Sequence, residues 1–83
     1  MLQLTQIKFE NGQIIITVQT TRGANMDAVS NFVSRVMIWA TTHGYNNICH
    51  QIEVDEQIIS IPLLPTSDPQ AVIRAIKEDT QPP

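Results

Sequence analysis

Cysteine is almost missing from this chain. Cys49 is the only one, so no disulfide can form within the chain, which fits a reducing compartment. Basic residues are nearly as scarce. Lys8, Arg22, Arg35, Arg74 and Lys77 lie scattered, and the formal net charge is −3 with a pI near 5.0. A phosphate backbone or an anionic membrane surface is held by clustered positive charge, so neither is favoured by this composition. No apolar run approaches the roughly 18 residues that a spanning helix requires. The opening MLQLTQIKFE lacks a basic leader followed by an apolar stretch. Together these features point to a cytoplasmic protein. Gly12, Gly23 and Gly44 stand alone and make no phosphate-cradling loop. Phe9 is the only aromatic residue expected on a strand, too few for a base-stacking platform.

What is present is an ordinary globular composition, 42% apolar and 16% charged, unlike that of a disordered chain. Eighty-three residues make one domain, 1–83. A chain of this size buries roughly 60–65% of the surface its unfolded form exposes. That suffices for a thin two-layer core, and self-association would add stability.

The clearest local signal is Asn11-Gly12. Both residues tolerate positive φ, so a tight hairpin is expected with arms at 2–10 and 13–20. A loop, TRGAN, follows. Asn25 is placed to cap a helix, with Asp27 near its positive end. Val29, Phe32, Val33, Val36 and Ala40 then fall on one helical face, and Gly44 is positioned to end the helix in a left-handed conformation. A second hairpin is expected from 48–54 and 57–64 around Asp55-Glu56. In TSDPQ, Asp68 caps a last helix and Pro69 fits its first position. Val72, Ala75 and Ile76 should face inward, and residues 79–83 read as a frayed tail.

The order is therefore ββαββα, an α+β two-layer sandwich with a four-stranded antiparallel sheet and two helices on one face. QIKFENGQIII and QIEVDEQIIS align with one gap, and Ala28-Val29 matches Ala71-Val72. The chain thus has the look of a ββα internal repeat.

The unusual element is Ile14-Ile15-Ile16. With a two-residue turn, Phe9 opposes Ile14 and Ile7 opposes Ile16 on the inner face, which leaves Ile15 outside with Lys8, Gln6 and Leu4. In the second hairpin Ile48, Ile52, Val54, Ile59 and Ile61 are expected inward, and Cys49, Gln51, Glu53, Ile58 and Ser60 outward. A bulge after Gly12 would exchange the roles of the three isoleucines. Isolated exposed isoleucines are ordinary in sheets. The alternative is that Ile15 and Ile58 meet a second copy or a partner, most simply in a homodimer. On the first helix Ile38 points away from the apolar face, and Trp39 lies on its flank. With Arg35 nearby they have the composition of a protein-binding hot spot.

Catalytic and metal-binding signals are weak. His43, Cys49 and His50 are the only soft ligands or nucleophile–base candidates. Cys49 and His50 are adjacent in a strand and should point to opposite faces, without the paired spacing that metal sites use. Glu53, Asp55 and Glu56 gather at a hairpin tip, where acidic residues are ordinarily solvated. No catalytic residue, metal or cofactor is assigned. The sequence reading is a small interaction or regulatory protein, homodimeric and not an enzyme. Its contact residues are Arg35, Ile38, Trp39, Ile15 and Ile58, and its acidic balance suits partners with basic surfaces. A nucleic-acid accessory module using the sheet face or the TTRGAN loop is the alternative. An enzyme with a site formed between subunits comes third.

Overall fold

Asn11 and Gly12 both adopt positive φ, 53° and 76°, the geometry of a primed two-residue turn whose twist matches its flanking strands. The turn joins β1 (Thr5–Glu10) to β2 (Gln13–Gln19) with Phe9 opposite Ile14 and Ile7 opposite Ile16. This is the unbulged register, so Ile14 and Ile16 face the core and Ile15 the outside. The computed structural model describes residues 5–20 and 25–80. After β2 come α1 (Met26–Thr42), β3 (Cys49–Ile52), β4 (Glu56–Pro62) and α2 (Pro69–Thr80). The expected strand residues 2–4, loop residues 21–24 and tail residues 81–83 lie outside the described part.

The four strands form one antiparallel sheet in the order β1-β2-β4-β3. β2 and β4 are central, and each carries isoleucine or valine on the inner face and isoleucine on the outer face. Ile14, Ile16, Val18, Ile59 and Ile61 are fully buried on the inner face. Each such side chain contributes about 1.5–3 kcal/mol through removal from water. Helix α1 brings Val29, Phe32, Val33, Val36, Trp39 and Ala40 to this core, and α2 brings Val72, Ile73 and Ile76. Among the described residues no helix is long and apolar enough to cross a membrane.

The helix ends follow the expected chemistry. The Asn25 side chain accepts from the Ala28 amide at 3.2 Å. At the other end Gly44, at φ 84°, donates to the Thr41 carbonyl, and Tyr45 donates to that of Ala40. This paired closure satisfies carbonyls that the last turn would otherwise leave open. Asp68 accepts from the Gln70 amide at 3.1 Å ahead of Pro69. Helix α2 continues through Thr80, so Asp79 and Thr80 belong to a helix and not to a frayed end.

The second hairpin differs from expectation by a two-residue slide of β3 along β4. Glu53 donates to Glu56 at 2.8 Å, which places the turn at Val54-Asp55 and sets Ile52 opposite Gln57 and His50 opposite Ile59. The turn is held there because the Asp55 carbonyl accepts from the Thr20 amide at 2.8 Å, at the end of β2. Val54 consequently leaves the inner face for the turn, where it is 93% exposed, and Ile52 is 72% exposed. Gln57 takes an inner position and is buried.

These details show a structural repeat with a constant 43-residue offset. β2 begins at Gln13 and β4 at Glu56, 43 residues later. α1 begins at Met26 and α2 at Pro69, again 43 later. The closing bonds repeat as well: Thr20 N–H to the Asp55 carbonyl is matched by Leu63 N–H to the Gly12 carbonyl at 2.9 Å. Each half therefore clasps the turn of the other about a pseudo-twofold axis between β2 and β4. The gapped alignment of Gln6 with Gln51 and Ile7 with Ile52 does not hold: in the structure Gln6 corresponds to Cys49 and Ile7 to His50, without a gap.

Candidate functional site

On the outer side of the helical layer, α1 and the end of α2 enclose a shallow open groove of about 470 Å³. It is lined by Arg35, Ile38, Trp39, Thr42, His43 and Asp79. Positions 35, 38, 39, 42 and 43 recur at three- and four-residue steps, so one stripe of α1 forms a wall of the groove. Three of the five predicted contact residues, Arg35, Ile38 and Trp39, are thereby gathered in one place.

Trp39 is fixed from several sides. Its indole N–H donates to Asp79 Oδ2 at 2.8 Å, and its ring stacks with those of His43 and Tyr45, with centroids 4.2 and 5.8 Å away. The residue is 8% exposed, so it is peripheral core that shows only an edge to the groove. His43 caps α1, with Nδ1 2.7 Å from the Trp39 carbonyl. A carbonyl oxygen can only accept, so Nδ1 carries the proton there. Arg35 donates through Nε to the Thr80 carbonyl at 3.2 Å. That bond satisfies a C-terminal carbonyl of α2, and a guanidinium carries four further N–H donors. Thr80 is itself buried, its hydroxyl donating to the Ile76 carbonyl.

Ile38 stands apart. At 66% exposure it is a large apolar side chain beside Arg35, Trp39, His43 and Asp79, which are held by hydrogen bonds or stacking. The chain lacks a short-range pattern that would have assigned Asp79 or Thr42 to this place. Asp79 meets Trp39 across 40 positions of sequence, a pairing fixed only when the two helices dock.

The remaining predicted contact residues, Ile15 and Ile58, lie on the opposite side of the molecule. Both are half-buried on the outer sheet face. Ile15 stands opposite Ser60 and Ile58 opposite Thr17, so the two isoleucines are diagonal neighbours. Around them are Gln6, Lys8, Gln13, Gln19 and Gln51, and Lys8 pairs with Glu10 at 2.9 Å. This face is amide- and hydroxyl-rich, with its two isoleucines related by the same 43-residue offset.

The candidates for chemistry remain apart. Cys49 is on the outer face, while His50 is on the inner face, its Nε2 2.8 Å from Gln57 Oε1. His43 is at the end of α1. Among the described residues, no three His, Cys, Asp or Glu side chains are grouped so as to hold a metal ion. No protein-family model matches the chain, and the searches of curated proteins and solved structures likewise found no match.

Proposed function

We propose that this protein is a cytoplasmic, homodimeric, non-catalytic interaction module that binds a protein partner through the groove between α1 and α2. The observation that carries the reading is Ile38, 66% exposed beside a Trp39 held rigidly by Asp79, His43 and Tyr45. An apolar side chain next to a pre-organised aromatic and an arginine is the usual composition of a hot spot, because little side-chain entropy is lost when the partner arrives. Arg35 adds planar donors for a backbone carbonyl or carboxylate of the partner. Ile15 and Ile58 supply a smaller secondary contact on the sheet.

The acidic character is concentrated at Glu53, Asp55 and Glu56 on the hairpin and Glu78 and Asp79 on α2, which favours partners with a basic surface. The test is affinity capture from the native host with wild type and Ile38→Asp, followed by titration of the captured protein. Loss of about tenfold or more in affinity for Ile38→Asp, equivalent to about 1.4 kcal/mol, supports the groove. An unchanged affinity removes it.

A further inference from the structure

We propose that β3 is the edge through which two copies of this chain join. They would pair β3 against β3 in antiparallel fashion about a twofold axis at His50, to give one continuous eight-stranded sheet. The inference deepens the homodimeric part of the function proposed above and rests on it.

The backbone geometry sets which groups are available. Glu53 and Glu56 form a hydrogen-bonded pair, so Gln51 and Cys49 also turn their amides and carbonyls toward β4. His50 and Ile52 then present theirs to the free edge. Natural sheets guard such edges with charge, proline, a bulge or a very short strand, and of these β3 has only its shortness. The segment Cys49–Ile52, CHQI, contains none of Lys, Arg, Asp, Glu or Pro, and its ladder runs through four consecutive pairs without a bulge. The structural repeat supplies an internal comparison. β1 is the equivalent edge of the first half, and it carries Lys8, ion-paired with Glu10, where β3 carries Gln51.

The apolar surface points the same way. Ile52 and Val54, 72% and 93% exposed, are the most exposed large hydrophobic residues among those described. Phe9, the counterpart of Ile52, is 43% exposed. Met26 is the counterpart of Pro69, which lines a groove with Phe9. It is 48% exposed and is placed at the same end of the molecule as Ile52.

A second copy can meet this edge in several registers that keep the faces matched, and the one centred on His50 sets isoleucine against isoleucine. With His50 opposite His50 of the second copy, Ile52 falls opposite Ile48 and Gln51 opposite Cys49, and the pairing ends where Asn47 turns to positive φ. Inner-face residues meet inner-face residues, which the period of two requires. No pair places two carboxylates or two ammonium groups together. The axis stands perpendicular to the sheet, so all four helices stay on one side.

The register makes a positive test available. Cys49 and Gln51 of the second copy would form a non-hydrogen-bonded pair with Cα atoms about 4.5 Å apart, within the roughly 4.4–6.8 Å that a disulfide spans. Gln51→Cys, treated with oxidised glutathione as the two-electron acceptor, should give a covalent dimer on a non-reducing gel. Wild type, with Cys49 alone, should not. Light scattering of wild type at high-micromolar concentration should give twice the 9.3 kDa chain mass. Ile52→Pro removes an edge amide without touching the ladder to β4 and should weaken association about tenfold or more. Leu64→Lys, a charge at another exposed apolar site, should leave it unchanged. Thermal unfolding of Ile52→Pro separates lost association from lost folding. A monomeric wild type overturns both the edge and the homodimer. A dimeric wild type in which Ile52→Pro still associates, or in which Gln51→Cys fails to cross-link, overturns the edge alone. So does a dimer that Leu64→Lys breaks equally.

Discussion

Ile16 and Ile59 lie directly opposite each other across β2 and β4, and 43 residues separate them, the offset of the structural repeat. Each is thus both the neighbour and the counterpart of the other, and the pseudo-twofold axis passes between them. Both are fully buried. Ile16→Ala and Ile59→Ala should each destabilise the fold by about 2–5 kcal/mol, since each removes buried methyl groups and leaves a cavity. Their costs should be similar to one another because their surroundings are related by symmetry. The double variant should depart from the sum by about 0.5–3 kcal/mol, as expected for side chains sharing one cavity. Urea denaturation of the four proteins checks this, and strictly additive losses would contradict the shared site.

Glycine is required at two turns for the same reason. Gly12 and Gly44 have φ of 76° and 84°, and an added Cβ at either would meet no atom within 4 Å. Any penalty therefore comes from the left-handed backbone alone. Gly12→Ala and Gly44→Ala should each cost about 1–2 kcal/mol. Denaturation midpoints should fall without a change in the slope m, because nothing in the core moves.

The same positions show what the sequence could disclose. Asn11-Gly12, Asn25, Gly44 and Asp68-Pro69 act through bonds within a few residues, so the first turn and both helix starts were readable, whereas the choice between the bulged and unbulged register of the first hairpin was settled only by the pairing of Phe9 with Ile14. The second turn was not readable, because Val54-Asp55 has no strong turn chemistry of its own. Its position is set by the bond from Thr20 to Asp55, a contact between halves of the chain. The displaced turn in turn concealed the ungapped structural correspondence of the two halves, since strand similarity alone favoured an alignment shifted at the hairpin. Likewise Arg35, Ile38 and Trp39 could be singled out by composition and helical direction. Their companion Asp79 could not, because only the docking of α2 on α1 brings it near.

That companion matters for testing the groove. Asp79→Ala leaves the Trp39 N–H without its acceptor and should cost about 1–3 kcal/mol of stability. Trp39→Ala, which removes an 8%-exposed ring, should cost about 3–5 kcal/mol. Binding measured on either variant would mix unfolding with lost contact. Ile38→Asp, at an exposed position, should stay within about 0.5 kcal/mol of wild type. A thermal melt unchanged for Ile38→Asp and clearly lowered for Trp39→Ala would show that the two neighbours divide recognition from packing. A large loss in Ile38→Asp would instead make it a core residue.

The outer sheet face and the β3 edge predict different consequences for charge placed on the sheet. Ile15 and Ile58 are half-buried among glutamine, threonine and serine side chains that hydrate well. Their methyl groups rest against cross-strand neighbours and do not form a broad apolar surface. Ile15→Lys and Ile58→Lys should therefore lower stability modestly, by about 0.5–1.5 kcal/mol of lost cross-strand packing and β-propensity. Neither should change the mass measured by light scattering. If either variant becomes monomeric while Ile52→Pro remains dimeric, the copies meet face to face across the isoleucines and not edge to edge at β3. The edge assembly requires the reverse pattern, in which charge on the face is tolerated and loss of one outward amide at Ile52 is not.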